Sequence, residues 1–130
     1  MLMRRRAWVV ASLALLAGAA CRSGQHQPVD DETWPQLGPV PLYVRNDNFL
    51  DMNVSVQSHG MNRRIGTVSG NSSANFKLER SMISPDGFTL VATPIGGTGR
   101  ATSGTLSVGV DQTVDFRIAP VLRQSSAVVR

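Results

Sequence analysis

From residue 40 onward, the chain alternates apolar and polar residues in short runs, and this pattern limits its fold more than any other feature. Because successive side chains of a strand point to opposite faces, each run predicts a strand with one buried face. A less regular run at residues 63–68 has Ile65 and Val68 three positions apart, and a bulge near Gly66 would place both on one face. The regular runs cover residues 42–45, 52–57, 74–79, 88–93, 106–111 and 114–118.

Turn-forming residues separate these runs, and no window has the spacing of an amphipathic helix. About seven short strands with one apolar face each predict an all-β fold, a small antiparallel β-sandwich with an Ig-like or transthyretin-like strand count. Phe76, Phe88 and Phe116 are the expected aromatic anchors of its core. The turns are expected at Asn46-Asp47-Asn48, His59-Gly60, Gly70-Asn71, Pro85-Asp86-Gly87, Gly96-Gly97 and Asp111-Gln112.

The first 20 residues have the layout of a secretory signal peptide. Three arginines at positions 4–6 form a basic segment, an apolar run follows as far as Leu16, and small residues end at Ala20. The apolar run is shorter than the roughly 20 residues that a membrane-spanning helix needs. We therefore expect residues 1–20 to be cleaved off after Ala20.

Cys21, the one cysteine of the chain, follows this segment directly. Small residues ahead of a cysteine at this position resemble the bacterial lipobox, with Gly18 where leucine is usual. The resemblance implies that Cys21 becomes the first mature residue and carries a diacylglycerol thioether and usually an N-acyl chain. Several acyl chains together anchor a protein stably to a membrane. The alternatives are a disulfide between two chains, and an ordinary signal peptide followed by an incidental cysteine.

Residues 21–39 predict a flexible tether behind the lipidated cysteine. The stretch from residue 22 is polar, contains three prolines and has neither strand nor helix periodicity. Its acidic cluster at residues 30–32 fits a solvated linker, with calcium binding or partner docking as the alternative. Trp34 either pins the end of the tether to the folded domain or contacts a partner.

The remaining chain divides into a β-sandwich at residues 40–120 and a loose C-terminal tail at residues 121–130. The apolar residues of the tail could extend a sheet edge or meet a partner. Removal of residues 1–20 takes away three of the 13 basic residues and none of the nine acidic ones, which leaves a net charge of +1. A charge this small, carried by scattered arginines, argues against a nucleic acid partner.

No set of residues points to catalysis. A hydrolytic triad needs a nucleophile, a histidine and a carboxylate in contact, but His26 lies in the tether and His59 lies in a predicted turn. The glycine-rich residues 95–100, IGGTGR, lack the Lys-Ser/Thr pair and the following helix of a phosphate loop. We therefore expect a non-enzymatic protein without a cofactor.

The segment NDNFLD, residues 46–51, is the most concentrated group of oxygen donors in the predicted domain. Asn46, Asp47, Asn48 and Asp51 are weak candidates for calcium ligands. The loop glycine and closing glutamate of an EF-hand are missing, and such residues commonly hydrogen-bond the backbone of their own turn. We expect turn structure here and no metal site.

Two segments carry a resemblance to a group of small uncharacterised bacterial lipoproteins. VRNDNFLDMNVSV, residues 44–56, is similar to their turn and V-x-V strand, and RIGTVSGNSSANFKL, residues 64–78, is similar to their G-x-V-x-G hairpin and F-x-L strand. The resemblance covers roughly residues 42–118. It implies an envelope-anchored sandwich domain and carries no established activity.

Two functions compete. The first is a lipoprotein whose sandwich docks another envelope protein or has a structural role; it predicts an exposed edge at Leu42–Arg45 or in the tail. The alternative is a small-ligand or carbohydrate-binding module, which predicts that the contact candidates Trp34, Tyr43 and Phe49 share one concave face. The residue after Cys21 is Arg22 and not the aspartate that retains lipoproteins at the inner membrane of enteric bacteria, which favours the outer membrane.

Overall fold

The computed structural model describes residues 37–130. The predicted signal peptide, Cys21, most of the predicted tether and Trp34 lie outside the described residues. Short 3₁₀ helices occur at Arg80–Met82 and Leu122–Gln124, and no helix of residues 37–130 is long and apolar enough to cross a membrane. The described strands are β1 (Val40–Asn46), β2 (Met52–Ser58), β3 (Met61–Val68), β4 (Ser72–Leu78), β5 (Phe88–Pro94), β6 (Ala101–Leu106), β7 (Val114–Ile118) and β8 (Ser126–Val129).

The eight described strands form two four-stranded sheets of a β-sandwich, so the predicted fold class is confirmed. Sheet A has the strand order β4-β1-β7-β8, and sheet B has the order β3-β2-β5-β6. Every neighbouring pair is antiparallel except β1 and β7, which run parallel with Val44 opposite Phe116. The sandwich therefore has one strand more than predicted and one parallel pair.

The core lies between the two sheets and follows the alternation of the sequence. Along β1, buried and exposed residues alternate without a break from Val40 to Asn46. Phe88 and Phe116 are buried as predicted, and Phe76 is partly buried against the same core. Burying such side chains stabilises the fold by about 1.5–3 kcal/mol each.

The bulge predicted beside Gly66 is confirmed. Val54 of β2 lies opposite Gly66, and the next residue of β2 lies opposite Arg64, so Ile65 is the extra residue of β3. This shift lets Ile65 pack against the core, where Val68 is fully buried. Gly66 also leaves room for an aromatic ring, because a Cβ atom there would lie 2.5 Å from Cε1 of Phe76.

The strand predicted at residues 106–111 is wrong. The sixth strand is Ala101–Leu106, and the chain leaves the sheet after Leu106. Apolar residues alternate here although no strand forms. Val108 lies in an irregular segment and is buried, whereas Val110 is 57% exposed. The sequence did not predict β6, because this strand lies at the edge of sheet B and buries only its first and last residues.

The prediction of a loose tail at residues 121–130 is wrong, and the sandwich does not end at residue 120. The other possibility, that the apolar residues of the tail extend a sheet edge, is confirmed. Residues 126–129 form β8, which pairs with β7 and places Ala127 opposite Phe116. Reciprocal backbone hydrogen bonds of 2.8 and 2.9 Å between Thr113 and Arg130 extend this pairing. The tail is held because Ala127 and Val129 pack against the core.

Candidate functional site

The outward side chains of sheet A form one continuous surface, which we call the sheet A face. Strand alternation places them there, since their neighbours in sequence point into the core. Tyr43 lies at the centre of this surface, opposite Asn75 of β4 and Asp115 of β7. The members of the sheet A face are Pro41, Tyr43, Arg45, Ser73, Asn75, Lys77, Asp115, Arg117, Ser126, Val128 and Arg130.

A groove of about 390 Å³ opens on the sheet A face. This volume lies within the range of about 300–1,000 Å³ that small-molecule sites occupy. Tyr43, whose surface is 47% exposed, contributes to the groove and also to an adjoining depression beside Lys77. The groove is lined by Tyr43, Val44, Arg45, Ser73, Ala74, Asn75, Asp115, Phe116, Arg117 and Arg130.

Two arginines of the groove share one carboxylate. Arg45 and Arg117 lie opposite each other on the parallel strands β1 and β7. Asp47 accepts hydrogen bonds from both Nε atoms, at 2.8 Å from Arg45 and 2.7 Å from Arg117. The hydrogen bonds from Arg117 and Arg45 hold the pKa of Asp47 below its ordinary value. Asp47 therefore stays ionised at neutral pH and orients both guanidinium groups.

The sheet A face carries an excess of positive charge. Asp115 forms an ion pair with Arg130 across the last two strands, and Asp47 balances one of the two arginines that it contacts. Four basic side chains, the three groove arginines and Lys77, therefore face two carboxylates. The local net charge is +2, which favours an anionic binding partner.

The side chains of the candidate calcium ligands Asn46 and Asn48 form hydrogen bonds with backbone groups. Asn46 is 1% exposed; its Nδ2 donates to the carbonyl oxygens of Leu50 (2.8 Å) and Ser69 (3.1 Å), and its Oδ1 accepts from the amide of Asn48. Asn48 donates from Nδ2 to the Pro120 carbonyl oxygen at 3.0 Å and accepts at Oδ1 from the amide of Leu50. Their side chains hold a turn and fasten it to Pro120, two residues after β7.

The two aspartates of this segment point to different partners. Asp47 faces the arginine pair, and Asp51 accepts a hydrogen bond of 2.9 Å from the amide of Gly70. Gly70 is required at that close approach, because a Cβ atom there would overlap the carbonyl group of Phe49. Within residues 37–130, no three His, Cys, Asp or Glu side chains are grouped so that they could hold a metal ion.

The aromatic contact candidates are not all brought together. Tyr43 lines the groove, whereas Phe49, 77% exposed, is outside its lining. Trp34 lies outside the described residues. His59 is exposed in the two-residue turn between β2 and β3, where it and Gly60 have φ values of 53° and 70°. Such values fit the tight turn of a hairpin.

Sequence reasoning missed Arg80, which is 4% exposed. Its Nε donates to the carbonyl oxygen of Gly38 at 3.0 Å, and its Nη2 donates to that of Gly109 at 3.1 Å. Arg80 thereby ties the segment that enters β1 to the loop after β6. Arginine is normally exposed, so no pattern in the sequence signalled this role.

No protein-family model matches the chain, and no curated protein matches it. An NMR structure of a protein from Eubacterium rectale is similar, with 15% sequence identity and a TM-score of 0.46. The match covers 71% of this chain and 88% of that one.

Proposed function

We propose that this chain is an exported bacterial lipoprotein whose β-sandwich docks an envelope protein and has no catalytic role. The signal-peptide layout of residues 1–20, the lipobox-like position of Cys21 and the polar stretch behind it support a lipid anchor. Arg22 supports the outer membrane as the site of the anchor. The chain would then belong with the small lipoproteins that residues 44–78 resemble.

The observation that carries the docking function is that β8 is an edge strand of sheet A, with no further strand paired to it among residues 37–130. The hydrogen bonds between Thr113 and Arg130 fix which backbone groups of β8 face β7. Antiparallel pairing alternates, so the N–H and C=O groups of Ala127 and Val129 point away from β7. Residues 126–129 include no charged residue and no proline, which are the residues that usually keep an edge strand from pairing with another chain.

An extended segment of a partner protein can add to such an edge as a further strand. Val128, 56% exposed, would then contact side chains of the added strand. One of the two edges predicted from the sequence therefore supports docking. The other, Leu42–Arg45, is wrong, because β1 lies between β4 and β7 in the middle of sheet A.

The lipid anchor is tested by metabolic labelling with a palmitate analogue. Wild-type protein should incorporate the label, and the Cys21→Ser variant should not, because the acyl chains are attached through the cysteine or through the amino group that cleavage exposes. Equal labelling of the two proteins would contradict the anchor. Fractionation of the labelled cells then assigns the protein to the inner or the outer membrane.

The docking edge is tested with a photocrosslinking amino acid at Val128 in the membrane-anchored protein. The control places the same amino acid at Thr93, which is exposed on β5 in the middle of sheet B. Docking predicts one defined crosslinked protein from position 128 and none from position 93. Ala127→Pro should abolish that crosslink, because it removes an outward N–H group and spares the pairing with β7.

A second function, small-ligand or carbohydrate binding, is favoured by the groove over Tyr43. An exposed aromatic ring with several hydrogen-bonding groups around it is a usual feature of such sites. The groove is lined mainly by side chains of β1, β4 and β7, whereas docking would use the outward backbone groups of β8, so the two functions use different atoms. A titration with sugars, described below, tests the second function directly.

A further inference from the structure

The geometry points to the groove over Tyr43 as a binding site for an anionic sugar, whose carboxylate or phosphate group is held by Arg45 and Arg117. This inference rests on the ligand-binding function proposed second, and it names the class of ligand.

Arg45 and Arg117 have N–H donors that their hydrogen bonds to Asp47 do not use. Each guanidinium group carries five N–H donors, and Arg45 and Arg117 each use only Nε in the hydrogen bonds that the described residues provide, both to Asp47. The two terminal nitrogens of each side chain therefore remain for a second acceptor. Guanidinium groups bind carboxylate and phosphate oxygens in a bidentate manner, which makes an oxyanion the matching ligand group.

The charge of the pair is incompletely balanced. Arg45 and Arg117 lie opposite each other on neighbouring strands, whose separation is about 4.8 Å. Like charges placed directly opposite are unfavourable in a sheet, and the single carboxylate of Asp47 offsets one of the two. A bound oxyanion would neutralise the second charge. Asp47 also fixes both side chains through Nε, so less conformational freedom is lost when the anion binds.

The remainder of the groove suits a sugar ring. Tyr43 offers a half-exposed aromatic surface two residues before Arg45 on the same strand. Asn75 and Asp115 lie on either side of Tyr43 and can exchange hydrogen bonds with hydroxyl groups. An anionic sugar has groups that match those of the groove. Its apolar ring face would pack on Tyr43, its hydroxyl groups would hydrogen-bond Asn75 and Asp115, and its negative charge would bind the arginine pair.

A sugar fits this groove better than an acidic peptide does. Peptides usually bind sheets by pairing their backbone with an open edge. The groove lies over β1, whose two neighbours β4 and β7 already use its backbone groups. The volume of about 390 Å³ also falls in the range of small-molecule sites.

Calorimetric titration of the full-length protein in detergent tests the assignment. The ligands are trigalacturonic acid, glucose 6-phosphate, neutral maltotriose and a hexapeptide of aspartate and glutamate. We expect binding of one or both acidic sugars, and binding of maltotriose at least about tenfold weaker, because a charged hydrogen bond contributes about 1.5–3 kcal/mol. The two acidic sugars distinguish a carboxylate from a phosphate ligand.

Variants locate the site on the sheet A face. Arg45→Gln and Arg117→Gln should each weaken acidic-sugar binding about tenfold and leave the weak neutral binding unchanged. Tyr43→Ala should weaken acidic and neutral sugars alike. The matched control is Arg64→Gln, since Arg64 is an exposed arginine of sheet B that donates to Asn53 at 3.1 Å and Thr67 at 2.6 Å. This control should bind as the wild type does.

The outcomes separate the inference from the function on which it rests. Equal affinity for maltotriose and the acidic sugars would overturn the anionic assignment and leave the ligand-binding function standing. Binding of the acidic hexapeptide alone would overturn the sugar assignment and give the groove a protein partner. If no sugar binds, both the inference and the second function are wrong. An unchanged affinity in Arg117→Gln would place any observed binding elsewhere.

Discussion

Asn46 closes one end of the sandwich with three hydrogen bonds from a side chain that is 1% exposed. Two of these bonds reach the backbone of Leu50 and Ser69, so a single side chain connects β1 to two separate turns. Asparagine is suited to this position because its amide group both donates and accepts. An oxygen-only side chain would leave the two carbonyl groups without a donor, and calcium binding would require the amide to turn away from them.

Replacement of Asn46 by alanine should lower the free energy of unfolding by about 2–4 kcal/mol. Each lost hydrogen bond costs about 1 kcal/mol, and buried carbonyl groups left without a partner cost more. Urea denaturation followed by circular dichroism measures the change, with Asn62→Ala, an exposed asparagine of β3, as the control. Equal midpoints for the two variants would contradict a structural role for Asn46.

Asp47 gives the stability of the protein a dependence on acid pH. Arg117 and Arg45 lower its pKa in the folded protein, whereas the unfolded chain has the ordinary value of about 4. The contribution of Asp47 is therefore complete above about pH 4 and is lost as the pH falls through the lowered pKa.

We expect Asp47→Asn to unfold with a flatter pH dependence below about pH 4 than the wild type. Urea midpoints measured from pH 2 to pH 7 test this expectation. Asp86→Asn is the control, because Asp86 is exposed and forms no ion pair among the described residues. An Asp47→Asn profile parallel to that of the wild type would mean that the ion pairs with the arginines add nothing to folding.

At the level of strands, β8 differs most from what the sequence predicted. Its inward residues, Ala127 and Val129, pack against the same core as Phe116. Deletion of residues 125–130 should therefore lower the free energy of unfolding by about 2–4 kcal/mol, through lost apolar burial and lost pairing with β7. Thermal and urea denaturation would measure this loss. An unchanged free energy of unfolding after the deletion would mean that residues 125–130 do not stabilise the sandwich.

Strand prediction succeeded where one face of a strand is buried and the other is exposed. Strand β1 alternates perfectly in burial, β2, β5 and β7 each contain a predicted run, and the run at residues 74–79 overlaps all but the start of β4. The pattern failed at β6, an edge strand interrupted by Gly104 at a φ of 73°, and at β8, which has only four residues. Periodicity reports burial, so short or little-buried strands leave a weak signal.

The candidate site was less predictable than the strands. The sequence singled out Tyr43 as a contact candidate and Asp47 as a turn residue and weak calcium candidate, but neither prediction placed Asp47 between two arginines. The arginine pair depends on the parallel pairing of β1 with β7, which are far apart in the chain. Alternation determines which face a residue occupies and says nothing about which strands are neighbours, so Arg117 could not be placed beside Arg45 in advance.

For the whole molecule, sheet A carries both proposed surfaces, and they differ in their physical basis. The edge at β8 offers unpaired backbone groups and apolar side chains, which favour another protein strand. The groove offers side-chain charge and an aromatic ring, which favour an anionic ligand. Strands β1 and β8 are separated by β7, so Arg45 and Ala127 lie about two strand spacings, or about 10 Å, apart.

Substitutions at this distance without shared contacts usually act independently. Ala127→Pro should therefore abolish the crosslink at position 128 and leave acidic-sugar affinity unchanged, and Arg45→Gln should do the reverse. In the double variant, each loss should equal that of the corresponding single variant, because neither change alters the other's contacts. Crosslinking yield and calorimetric affinity, measured on all four proteins, test this. If Arg45→Gln also abolished the crosslink, the groove and the edge would be parts of one protein-binding surface.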